Sequence, residues 1–230
     1  MSLRYDIVAL AVAAVTALVL VYRRDRIRLR RGRAAFFDDC LPLLEGCTLS
    51  QDDVDFPVLA ATYRGRRVRL QPIVDHIAVR KLPSLWLLVT VFEDLPWMAT
   101  LDLLMRPQNI EFYSPSARLR VALDPPPGWP AHALLRTDDT AGLPPLERLT
   151  PHMAMFDDPR MKELVVTPKG VRLVYQADQA ERAHYAVLRQ ARFSVDRLPA
   201  ETARRLLDEA IGIIATLTAE DGHEPAARPG

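Results

Sequence analysis

The chain has 230 residues, 49% of them hydrophobic, and a formal net charge of +1 from 30 Lys and Arg against 29 Asp and Glu; this is room for one ordinary domain, or two small ones, with a sizeable core. The near balance hides an asymmetry, because residues 1–33 hold eight arginines and two aspartates, leaving 22 basic and 27 acidic residues in 34–230. A mildly acidic body is poorly suited to tracking phosphate backbones, which argues against a nucleic-acid partner. Lysine occurs only at Lys81, Lys162 and Lys169, while arginine, alanine and proline abound; this composition reads as the imprint of a GC-rich, bacterial genome.

The first element is the uncharged run from Ile7 to Tyr22. Its sixteen residues reach about 24 Å as a helix, against a hydrocarbon core of about 30 Å. Including Tyr5, whose ring with that of Tyr22 suits the headgroup level, gives a span with little tilt and some local thinning. "VLVYRRDR" follows, with bulky residues where a signal peptidase needs small ones, so the segment is expected to stay in the chain. Seven arginines then fall within eleven residues: Arg23, Arg24, Arg26, Arg28, Arg30, Arg31 and Arg33. By the positive-inside rule this flank stays in the cytoplasm and the short amino end crosses. Residues 1–33 are therefore expected to be a single-pass inner-membrane anchor with a basic flank, and the body cytoplasmic. The same arginines are candidates for gripping anionic headgroups, although plain topogenesis explains them without regulation.

Cys40 and Cys47 lie in "FFDDCLPLLEGC", where Phe36, Phe37, Leu41 and Leu44 recur at helical spacing. Both thiols then fall on one apolar stripe and are expected to be free core cysteines, as a reducing cytoplasm also favours. No Cys-x-x-Cys or nearby His completes a metal set.

From Gly46 onward the pattern becomes extended. "PVLAATYRGRRVRLQPIV" predicts two strands around Arg64-Gly65, with Val68, Leu70 and Pro72 on one face. "SLWLLVTVFE" is apolar on both faces and requires a cover on each side; Trp86 and Trp97 are its candidate interface residues, against the alternative of ordinary core. "MATLDLLMRP" and "ARLRVAL" continue the strands. "DPPPGWPAH" predicts a stiff connection that divides the body into two halves near 124–131. "TDDTAGLPPLERLTPH" reads as a loop, and Asp158-Pro159 as the start of a short helix. "KELVVTPKGVRLVYQ" predicts a hairpin through Pro168-Lys169-Gly170, and "HYAVLRQARF" is strand or helix. "LPAETARRLLDEAIGIIATL" predicts an amphipathic helix entered through Pro199, and 219–230 a disordered tail. The sum is an α+β fold: a transmembrane helix, a mainly antiparallel β body over 34–218, and an amphipathic C-terminal helix.

Chemistry is sparse. No phosphate loop, GxSxG or HExxH motif is present, so no cofactor, metal or catalytic residue is assigned. His76 beside Asp75 would seed an acid–base pair, but adjacent strand residues face opposite sides. Asp157 and Asp158 read either as a divalent-metal pair or as caps of a turn. The expected function is a non-catalytic accessory, scaffold or assembly factor for another membrane protein, with lipid contacted through the N-terminal helix and oligomeric state unspecified. The alternatives are a membrane-bound enzyme with an unrecognised site and a lipid or apolar-ligand binding domain.

Overall fold

The computed structural model describes residues 2–75, 82–107, 111–180, 191 and 193–219. Helix α1 (Ser2–Ala34) runs unbroken for 33 residues, about 50 Å at 1.5 Å per residue. A window of it has mean hydropathy 1.9 and none of that window is buried, so α1 is long and apolar enough to cross a membrane. The arginines extend the same helix beyond the apolar run, because arginine is a good helix former and its charges suit a helix C-terminus.

A 3-10 segment, Ala35–Leu43, turns the chain into the body and buries Phe36, Phe37 and Cys40. Among the described residues nine strands follow: β1 (Glu45–Ser50), β2 (Val58–Tyr63), β3 (Arg66–Val74), β4 (Ser84–Phe92), β5 (Leu101–Met105), β6 (Val121–Leu123), β7 (Ala133–Thr137), β8 (Met161–Thr167) and β9 (Gly170–Gln179). They form one antiparallel sheet in the order β1-β2-β3-β4-β9-β8-β5-β7-β6. The second helix, α2 (Ala200–Thr218), lies across β4 and β9. The expected α+β fold, with its two helices and antiparallel body, is the observed one.

Local chemistry explains the two sharpest turns. Arg64 and Gly65 both take positive φ, +49° and +76°, the two-residue geometry that matches the twist of paired strands. The β8–β9 hairpin closes where Thr167 pairs with Gly170. A Cβ on Gly170 would stand 2.1 Å from the carbonyl oxygen of Val91, so the close approach of β4 there requires glycine.

One face of the sheet carries the main core. Val68, Leu70, Leu87, Val89, Leu103, Leu164 and Leu173 are buried in one cluster with Ala203, Leu206, Leu207, Ala210, Ile213, Ile214 and Leu217 of α2. These α2 positions follow the helical period, which is why this face could be read from the sequence.

Several expectations are corrected. Cys40 is buried and free, but Cys47 is exposed and also free, because β1 begins at Glu45 and ends the helical stripe. Leu146–Asp157 is a 3-10 segment rather than a loop, and Asp158 closes it instead of opening a helix. Residues 124–131 join β6 to β7, and strands from before and after them share a single sheet, with β4 paired to β9 and β5 to β8. Trp129 from this connection is buried in the main core and donates to Thr150 Oγ1 at 3.0 Å. Residues 76–81, most of "HYAVLRQARF" and the tail from 220 lie outside the described residues, and with them His76, His184 and His223.

Candidate functional site

Two places combine charge with an unusual setting: the junction of α1 with the body, and the sheet face away from α2.

At the junction the arginine flank grips the 51–56 loop. Arg26 donates from Nε to Asp53 Oδ1 at 2.9 Å, its Nη2 is paired with Asp53 Oδ2, and its Nη1 donates to the hydroxyl of Tyr22 at 2.7 Å. Arg33 Nη1 donates to the carbonyl of Val54 at 2.8 Å, and its guanidinium stacks 4.7 Å from the centroid of Phe56. Gln51 Nε2 bridges the carbonyls of Arg30 and Asp55, at 3.0 and 2.8 Å. Burial pulls Arg33 below the ordinary guanidinium range, opposed by the charge of Asp55. Three of the turns that follow Tyr22 are therefore fastened to the body. Arg23, Arg24, Arg28, Arg30 and Arg31 are exposed. Beside this junction lies a half-open cleft of about 640 Å³ lined by Asp52, Asp55, Phe56, Val58, Ile73 and Val74, among others.

The other face of the sheet carries a strap, residues 111–119, that no motif announced. Four adjacent strands each tie it down with one side chain. From β9, Arg172 Nη2 donates to the carbonyl of Tyr113 at 3.3 Å. From β8, Lys162 Nζ lies 3.2 Å from Glu111 Oε1, both side chains being about nine-tenths buried. From β5, Asp102 Oδ2 accepts from Ser114 Oγ at 3.3 Å. From β7, Arg136 Nη1 donates to the carbonyl of Leu119 at 3.0 Å.

Strand register explains the meeting. Leu104 of β5 stands opposite Glu163 of β8, and Asp102 opposite Val165, so Asp102 and Glu163 are diagonal neighbours on one face. The bulge between Met161 and Glu163 sets Lys162 beside Glu163 within the covered region. Asp102 and Glu163 are both 0% exposed. Burial raises Asp102 above the ordinary carboxylate range, moderated by hydrogen bonds from its neighbours. Burial raises Glu163 too, and the Asp102 charge raises it further. Under the same strap, Trp86 packs against Tyr113 with ring centroids 5.4 Å apart and planes tilted by 47°, and Leu88 and Val174 are buried with them.

The sequence candidates are thus dispersed. Trp86 packs on the strap side with Ile73 and Tyr113, while Trp97 packs against the main core; the structure does not bring them together. Part of the second cover that β4 requires is Tyr113 of the chain itself. Asp158 accepts from the Arg160 amide at 2.9 Å and from Arg205 Nη2 of α2 at 3.1 Å, which is a capping and pairing role. His152 is held by α2, its Nδ1 2.8 Å from Glu209 Oε1 and its Nε2 2.9 Å from Thr216 Oγ1. Among the described residues no group of three or more His, Cys, Asp or Glu is arranged to hold a metal. Asp102 and Glu163 were missed by sequence reasoning, although a charge inside "LDLLM" and an adjacent Lys-Glu pair inside "MKELVV" interrupt otherwise apolar strands.

No protein family matches the chain, and no curated protein matches it in sequence. Among solved structures it is similar to the crystal structure of the mycobacterial trehalose monomycolate transport factor A, TtfA, at 9% identity, covering 79% of this chain and 80% of that one, with a TM-score of 0.36. A likeness of that size carries neither fold nor function across to this chain.

Proposed function

We propose that the chain is a single-pass, inner-membrane accessory protein whose cytoplasmic α+β body, held at a fixed height above the inner leaflet, docks on or helps assemble another membrane protein. The observation that supports it is the junction. An anchor that merely tethers needs a loose linker, whereas here the helix continues past the apolar run and Arg26, Arg30 and Arg33 are fastened to 51–56. A stiff stand of this kind is useful where the body must meet something at a set distance from the bilayer. The exposed arginines of the same flank favour the cytoplasmic side.

Extraction in mild detergent followed by affinity purification tests this reading. Recovery of a membrane protein in fixed ratio is expected, with loss of that ratio when a flexible Gly/Ser linker is inserted after Arg33. Repeated recovery of the chain alone contradicts it. A second reading, a lipid-binding domain, draws on the cleft beside Asp52 and Phe56; lipid retained by the purified chain, seen by native mass spectrometry and lost on Phe56→Asp, would favour it.

A further inference from the structure

The strap side of the sheet poses a counting problem. Asp102 and Glu163 present four carboxyl oxygens in a region sealed from water, and three of them, Asp102 Oδ1 and both oxygens of Glu163, have no donor. The fourth, Asp102 Oδ2, takes the Ser114 hydroxyl, which is itself oriented by accepting from the Ser116 amide at 3.0 Å. Arg172 stands 3.7 Å from Glu163 Oε2, beyond hydrogen-bond reach, and is occupied by the Tyr113 carbonyl. Two buried carboxylates set diagonally on one face, with one hydroxyl donor and one longer ion pair to Arg172 between them, are held apart from water at a cost of several kcal/mol per ion. A proton between them removes one charge and supplies the missing donor in one step.

We propose that Asp102 and Glu163 together form a binding site for one proton, which latches the 111–119 strap over the sheet. The proton resides on Glu163 and is donated to Asp102, leaving a single negative charge on the pair. That charge is shared with Arg172 from β9 and Arg136 from β7, the latter directly opposite Asp102 in the register. The other titratable groups facing the pair are Lys162 of β8, and Glu111 and Tyr113 of the strap, with Asp75 acting on Tyr113 from the end of β3. Glu111 and Lys162 neutralise one another. Removal of the proton puts two like charges side by side beneath the strap, and their repulsion and demand for water free the strap from the face that carries Trp86, Leu88 and Val174. Charge balance is kept, since the proton passes to solvent and no other bond changes.

Difference infrared spectroscopy on the whole chain in detergent reads the proton directly. A carbonyl stretch of an un-ionised carboxylic acid is expected at neutral pH, and it is expected to vanish in Glu163→Gln. In Asp102→Asn, which removes the neighbouring charge but leaves the burial, the band is expected to disappear at a lower pH than in wild type. Amide hydrogen exchange reads the latch: protection of 111–119 should fall about tenfold per pH unit as the pair ionises, and that slope should be absent in Glu163→Gln. No acid band in the folded wild-type chain, or the same band in both variants, overturns the proposal. So does an exchange slope that is identical in wild type and Glu163→Gln.

Discussion

The two faces of the sheet are closed by different physics. Toward α2 the cover is a helix whose Leu206, Leu207, Ile213 and Ile214 are fully buried, a dry contact in which each side chain contributes through area removed from water. Toward the strap the cover is irregular chain held by four polar ties, Arg172, Lys162, Asp102 and Arg136, around a small apolar cluster. A dry face tolerates change of pH and salt. A laced face depends on each tie being satisfied, because a lone buried polar group costs more than a made bond returns. The fold is therefore expected to be robust on one side and conditional on the other.

Leu206→Ala should break the dry face most severely, with a loss of about 2–5 kcal/mol in chemical unfolding of the detergent-solubilised chain, equal at all pH values. Lys162→Met should cost about 1–3 kcal/mol, through the loss of the donor to Glu111 and to the carbonyl of Arg106, 2.7 Å away. Its signature would be faster exchange confined to the strap. Glu163→Gln sharpens the contrast because it acts in the opposite direction. A carboxyl whose affinity for protons is raised by folding favours the folded state most below the ordinary carboxylate range, and that contribution is lost as pH rises through the raised value. The variant should therefore be more stable than wild type, by on the order of 1 kcal/mol, above neutral pH, and should lose the downward slope of stability with pH. Arg26→Ala should be the mildest, about 0–1 kcal/mol, since the pair with Asp53 is exposed. Its effect should appear as greater mobility between α1 and the body in spin-label distance distributions.

What the sequence made legible follows the same division. The α2 stripe, the Arg64-Gly65 hairpin and the β8–β9 hairpin are local patterns whose period or turn residues fall within a short window. The pairing of β4 with β9 joins segments some eighty residues apart, and nothing in either strand names its partner. Leu146–Asp157 was obscured by Pro144 and Pro145 just before it and Pro151 within it, which read as loop although a 3-10 run accommodates them. Asp102 and Glu163 fall in no local pattern because their partners come from β7, β9 and the strap. Only register places them together. Cys47 was misplaced by extending the helical stripe across Gly46, whose φ of +61° marks the change to strand.

The proposed role requires α1 to be a retained span with the body on the inner side, and the two cysteines provide an internal gauge. Cys47 is exposed, while Cys40 is buried, donates to the carbonyl of Leu198 at 3.3 Å, and is pushed up to about 12 by burial. A membrane-impermeant thiol reagent applied to spheroplasts should leave both unmodified, and after lysis should modify Cys47 alone. Modification of Cys47 in intact spheroplasts, or a mature chain that begins beyond Arg33, would contradict the account.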